Sequence, residues 1–252
     1  KVAADIRQRL GFDPDARKGC RTWAEALRYF IEQADRLGVL VMISGVVGSN
    51  NRRKLDVEEF RGFALADDRA PLIFINGTDT KSAQMFTLAH ELAHIWLGHS
   101  ALTDVDIPRV PEQRTERWCN EVAAELLVPL GALLAAAPKG PEALEHLQEL
   151  ARDFKVSTLV ILRRLRDGDL IGQATFRTAY REERARLLSL ARRTEGGDFY
   201  RTQAARISRR FGRALVTSVL EGQTLYRDAF QLLGVRKEST FQEFGRSLGC
   251  AI

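Results

Sequence analysis

Histidine is scarce in this sequence. There are four in 252 residues, alongside three cysteines, two methionines and seven prolines. The cysteines Cys20, Cys119 and Cys250 are odd in number and widely spaced. That excludes a disulfide framework and points to a reducing compartment, the cytoplasm. No apolar run approaches the ~20 residues of a membrane span and no signal-peptide pattern opens the chain, so no membrane partner is expected. The first residue is Lys1 rather than Met, and a native segment upstream of it is expected. Internal repeats and low-complexity stretches are also missing, which excludes a solenoid. With 45% hydrophobic and 28% charged residues, the composition is that of a globular chain. The net charge of +5 permits nucleic-acid contact without establishing it.

Two of the four histidines stand together in His90-Glu91-Leu92-Ala93-His94, inside the run from Gln84 to Gly98. On a helix, residues four apart lie on nearly the same side, so both imidazoles can reach one metal ion. Glu91 is turned away by one residue's rotation, which puts its carboxylate beside a water rather than on the metal. Met85, Leu88, Leu92, Ile95 and Trp96 form the packing stripe of the same helix. The plain alternative is a buried helix with two satisfied histidines.

Upstream, the stretch from about Lys1 to Leu10 reads as a polar helix and Asp13-Pro14-Asp15 as a turn. Thr22 and Glu25 offer a capping box for a helix that Gly38 ends. Val39–Ile43, Phe60–Leu65 and Pro71–Asn76 read as strands, the last as an edge strand because it opens on proline. That edge is the expected pairing site for an extended substrate. Thr78-Asp79-Thr80 offers caps for the metal helix. A helix from Glu112 to Leu127 and a short apolar one after Pro129 follow. Pro138-Lys139-Gly140-Pro141 marks a boundary. From Pro141 to Gly168 the pattern is that of a helix-turn-helix, with Ser157 capping a second helix that shows Arg163, Arg164 and Arg166. A helical hairpin packed on the preceding domain is the plain alternative. From Tyr180 to Gly212 arginine is dense, and fewer than half as many acidic residues offset it. Arg192, Arg193, Arg209 and Arg210 are the candidate nucleic-acid contacts, against the alternatives of a solvated face or an acidic protein partner. The last residues, from Leu215 on, read as further packed helices.

A catalytic zinc takes three protein ligands and keeps one position open. Glu116 is the best third ligand, because a loop and a returning helix fit between it and His94. Glu112, Glu121 and Glu125 are its rivals. Asn120, one turn after Glu116, is a candidate for holding a ligand or substrate by hydrogen bonding. Cys119 reads as core packing, with ligation or redox sensing as the alternative. His99, just past the helix, is a further candidate contact for the metal or the substrate, against an ordinary loop histidine.

Phe60-Arg61-Gly62-Phe63, Ala70–Asn76, Phe86–His94 and Glu116–Pro129 together resemble the ImmA/IrrE metallopeptidases over about residues 20 to 165. The resemblance implies a reduced zincin fold, α+β with a small mixed sheet. It implies Zn2+ on His90, His94 and Glu116, with Glu91 as catalytic base. It also implies a protein substrate, a helix-turn-helix repressor or antitoxin cleaved in response to stress, DNA damage or mobile-element signals. IrrE-like members carry a helix-turn-helix segment after the peptidase domain, which matches Pro141–Gly168, and then a GAF-like sensor, which the helix-rich end here does not match. Many zinc peptidases of the HExxH-plus-Glu type place Asp one turn after the glutamate ligand, where this chain has Asn120.

The expected organisation is therefore a zincin-like metallopeptidase domain (1–138), a helix-turn-helix-like segment (139–180) and a basic, mainly helical C-terminal region (181–252). The rival readings are a DNA-binding regulator with a structural or vestigial zinc site, and a toxin–antitoxin component that acts by contact alone.

Overall fold

Helix α4 (Lys81–Leu97) carries both motif histidines, and the rest of the N-terminal domain packs around it. Thr80 caps it by accepting a hydrogen bond from the Ala83 N–H at 3.3 Å, and Gly98 ends it at a φ of 70°. That left-handed turn is one a Cβ would strain. Met85, Leu88 and Leu92 are wholly buried, while Ile95 and Trp96 are partly so. A computed structural model describes residues 1–47, 50, 52–98, 109–191 and 207–251.

Three helices precede the sheet: α1 (Val2–Leu10), α2 (Pro14–Lys18) and α3 (Trp23–Leu37). Asp13-Pro14-Asp15, expected to be a turn, opens α2 instead. Asp13 caps it, accepting from the Asp15 N–H, and Pro14 sits where a helix needs no donor. In α3 the Thr22 hydroxyl accepts from the Glu25 N–H at 3.1 Å. The return bond from Glu25 reaches the Arg21 N–H at 2.8 Å, one residue before the cap.

The sheet has three strands, β1 (Leu40–Ser44), β2 (Gly62–Leu65) and β3 (Leu72–Asn76), in the order β1-β3-β2. β1 runs parallel to β3, with Val41 opposite Ile73, and β2 runs antiparallel to it, with Phe63 opposite Phe74. The expectation that Pro71–Asn76 is an edge strand is therefore corrected: β3 is central and β2 is the edge on its other side. Pro71 precedes the strand, so its missing N–H costs no ladder bond, and its carbonyl accepts from the Leu40 N–H at 2.8 Å. Buried Asn76 ties the end of β3 to the entry of β2. Its Nδ2 donates to the Phe60 carbonyl at 3.1 Å and its backbone N–H to the Arg61 carbonyl at 2.8 Å.

Helices α5 (Arg109–Leu127) and α6 (Leu130–Ala136) follow, and α5 lies against α4 and α1. Next come α7 (Glu142–Glu145), α8 (Leu147–Asp153) and α9 (Thr158–Asp167), the last capped by the Ser157 hydroxyl as expected. The buried residues of α8 and α9, including Leu150, Ile161, Leu162 and Leu165, join the same hydrophobic core as α4 and the sheet. Arginines fasten this joint at the C-terminal end of α5. Buried Arg164 donates to the Val128 carbonyl at 3.0 Å and is ion-paired with Glu125, while buried Arg17 donates to the Leu127 carbonyl. Cations there satisfy carbonyls that the helix leaves open.

Helix α10 (Gln173–Ala191) packs on α9. Its buried Glu183 accepts from the Thr158 hydroxyl at 2.5 Å and from Arg186 at 2.6 Å. The C-terminal helices α11 (Arg209–Leu220), α12 (Tyr226–Leu233) and α13 (Glu238–Ser247) enclose a second core of Leu215, Val216, Val219, Ala229, Leu233 and Phe241. Asp35 of α3 meets the start of α11, accepting from the Ser208 hydroxyl and, at 3.1 Å, from the Arg210 N–H. The fold is thus α+β, a zincin-like domain with a small mixed sheet followed by a helical C-terminal region. Among the described residues no single helix is long and apolar enough to cross a membrane.

Candidate metal centre

One turn of α4 brings His90 and His94 together, and α5 returns antiparallel to bring Glu116 against both. His90 Nε2 lies 3.1 Å from Glu116 Oε2, His94 Nε2 lies 3.1 Å from Glu116 Oε1, and the two Nε2 atoms are 3.1 Å apart. A tetrahedral zinc with bonds of about 2.0–2.1 Å holds its donors roughly 3.3 Å apart. The triad is thus at the spacing one divalent ion imposes. Two imidazole nitrogens and a carboxylate are also the donor types such an ion takes. The residues fit the metal.

Glu91 is buried between α4 and the sheet, and among the described residues its Oε2 has no hydrogen-bond partner. Burial raises its pKa above the ordinary carboxylate range, partly offset by the nearby histidines. A buried carboxylate oxygen without a partner is costly unless the site's chemistry uses it. At Glu116, hydrogen bonds from His90 and His94 lower the carboxyl's pKa. Burial alone would lower the pKa of His94. Hydrogen bonds with Cys119 and Glu116 outweigh it and raise the value to about 10. A metal ion has to displace that proton, because only a neutral imidazole ligates.

Two of the rivals of Glu116 have other places, while the Glu112 side chain lies outside the described residues. Glu125 is ion-paired with Arg164, and Glu121 is exposed on the cleft wall. Asn120 donates its Nδ2 to the Glu116 backbone carbonyl at 2.8 Å, so it bears on the ligand residue through the backbone. Cys119 is fully buried, and its thiol helps to raise the pKa of the His94 ring. His99, Arg192 and Arg193 lie outside the described residues. Arg209 donates to the Ser247 carbonyl at 3.2 Å and Arg213 to the Leu248 carbonyl at 2.8 Å. Both arginines are therefore engaged at the end of α13. Arg210 lends its backbone N–H to Asp35.

A cleft of about 960 Å³ opens at Glu116, bounded by Arg61 at the entry of β2, Phe86 and Thr87 of α4, and Arg117 and Asn120 of α5. Gly62 is the residue sequence reasoning passed over. A Cβ on it would stand 2.5 Å from Thr87 Cγ2, 2.8 Å from the Phe74 carbonyl oxygen and 3.7 Å from Glu91 Cγ. Edge strand β2 therefore runs directly over the motif helix, and only a glycine allows that approach.

A model of the family described as the IrrE N-terminal-like domain, a metallopeptidase type, matches residues 34–166, more than half of the chain. A second model, a domain of unknown function (DUF8813), matches residues 207–247, the three C-terminal helices. No curated protein matches the chain.

Proposed function

The chain belongs to the IrrE N-terminal-like peptidase family, and on that premise we propose that it is a zinc-dependent endopeptidase acting on a regulatory protein. The substrate class is a helix-turn-helix repressor or antitoxin, cleaved in response to stress or DNA damage. The observation that carries the reading is the convergence of His90, His94 and Glu116 within hydrogen-bond distance of one another, with the unpartnered Glu91 oxygen buried beside them.

His90, His94 and Glu116 hold the ion. When bound, a zinc ion in a three-ligand site lowers the pKa of its water to about 7 and polarises a carbonyl. Glu91 takes the proton from the attacking water and passes it to the departing amine. Burial raises its pKa from the ordinary carboxylate value, as for a group that exchanges protons in a site. Among the described residues β2, not β3, has an unpaired edge beside Glu91, and an extended substrate segment pairs there. Three free cysteines accord with a reducing cytoplasm as the place of action.

The test is co-expression with a repressor-like protein encoded next to this chain's gene, comparing the unsubstituted protein with Glu91→Gln. Cleavage is expected with the first and none with the second. Equal cleavage in both would remove Glu91 from the reaction.

A further inference from the structure

The cleft that opens at Glu116 extends beyond the metal-binding helices. Arg163 of α9 and Tyr180 of α10 line the same space as Phe86 of α4 and Arg117 of α5. The second helix of the helix-turn-helix pattern is therefore a wall of the candidate active-site cleft.

Of the three arginines of α9, Arg163 and Arg166 share the face that lines the cleft while Arg164 is turned away, and each meets something different. Arg164 is buried on Glu125 and the Val128 carbonyl. Arg166 is paired with Asp167 at 2.6 Å and stacked over Phe176 at 4.9 Å. Arg163 lies over the Tyr180 ring at 5.6 Å, and its Nη2 is 3.5 Å from the Tyr180 hydroxyl. Among the described residues, no carboxylate stands within ion-pair distance of Arg163. Arg117, exposed one residue past Glu116, has none either, and Glu121 in the same cleft is not paired with either of them. Among the described residues, two guanidinium groups without counter-ions thus border one cleft, with Glu116 in the same lining. The Tyr180 ring lies beneath one of them, and among the described residues no carboxylate takes its N–H donors.

DNA is the occupant the helix-turn-helix pattern would suggest. A reading helix has to present a free face to the major groove. Here one side of α9 is buried in the core, Phe176 and Tyr180 of α10 cover part of the rest, and Leu159 and Arg163 face the cleft. A single extended peptide segment fits such a space better than a duplex.

Resting on the peptidase reading above, we propose that Arg117 and Arg163 are specificity residues that select a substrate segment carrying an aspartate or glutamate side chain close to the scissile bond. The acidic side chain supplies the counter-ion that neither arginine has among the described residues, through charge-assisted hydrogen bonds.

The test uses the full chain with Glu91→Gln, immobilised and offered a randomised decapeptide library with blocked ends. Retained peptides are expected to be enriched in Asp or Glu at one position. Changing that residue to Asn or Gln should weaken binding about 5-fold in an anisotropy titration, the effect of one partly exposed charge-assisted contact. Arg117→Gln and Arg163→Gln, added singly, should shrink the difference, and the pair should erase it. Arg152→Gln, outside the cleft, should leave it intact. Should Arg163→Gln fail to fold, Arg117→Gln, at an exposed position, decides alone. Retention without acidic enrichment, retention of no peptide, or an acidic preference that survives the double substitution overturns the proposal. So does displacement of the peptide by duplex DNA with no dependence on its acidic residue. Cleavage of the retained peptide by the unsubstituted protein is scored separately. An acidic preference without cleavage would overturn the peptidase reading and leave the selectivity standing.

Discussion

Gly62 of the edge strand and Thr87 of the motif helix are so close that a methyl group on the glycine would stand 2.5 Å from Thr87 Cγ2. The same methyl would meet the Phe74 carbonyl oxygen at 2.8 Å, which has nowhere to move without breaking the pairing of β2 and β3. Gly62→Ala is therefore expected to lift β2 off α4. Overpacking of this kind costs about 1–3 kcal/mol. Peptidase activity should fall by at least about 10-fold, because a displacement near 1 Å is enough to misplace a paired substrate. Thr87→Ser removes one of the two obstacles and should recover part of the stability in the double variant. Thermal melts and cleavage rates of the three variants check this.

One divalent metal per chain is expected in protein purified without chelators. His90→Ala/His94→Ala should reduce it to background, because a single carboxylate is no site. Glu91→Gln should keep it, since that side chain is not a ligand. Elemental analysis decides both points, and metal lost from Glu91→Gln would place the carboxylate on the ion.

Arg164→Ala should loosen the α8–α9 hairpin from the peptidase core. The substitution leaves the buried Val128 carbonyl without its donor and removes the ion pair to partly exposed Glu125, a loss of about 1–3 kcal/mol. Hydrogen exchange in α8 and α9 should accelerate before that in α4. Uniform acceleration across both would mean that the hairpin and the core open as one unit.

The attachment of α10 should depend on acid. Hydrogen bonds from Arg186 and Thr158 lower the pKa of Glu183, with burial opposing them. A carboxyl whose folded pKa lies below its unfolded value stabilises the fold above the unfolded pKa, about 4.3. That stabilisation is lost as the pH falls through the folded value. Glu183→Gln should therefore destabilise the protein by about 1–2 kcal/mol at pH 7 and by less near pH 3. Denaturant melts at the two pH values test it, and an equal loss at both would assign the effect to packing.

The local signals in the sequence were strong wherever the physics is local. A helix places residues four apart on one side whatever surrounds it, so His90 and His94 could be paired on spacing alone. Thr80, Gly98, Thr22 and Ser157 could be assigned as caps and stops for the same reason. Glu116 stood among four carboxylates. What distinguishes it is that α5 brings it against both histidines and commits Glu125 to Arg164. The sheet order was beyond reach, because β2 and β3 are both short apolar runs and strand pairing is set by distant partners. The role of Gly62 followed the same logic, since nothing within its own strand announces the helix that crosses it. Arg163, Arg164 and Arg166 show the division most sharply. Helical rotation turns Arg164 away from Arg163 and Arg166, which stand three residues apart on one face. Only the tertiary contacts decide that Arg164 is buried on Glu125 and Val128, that Arg166 lies over Phe176, and that Arg163 lies over Tyr180 without a carboxylate among the described residues.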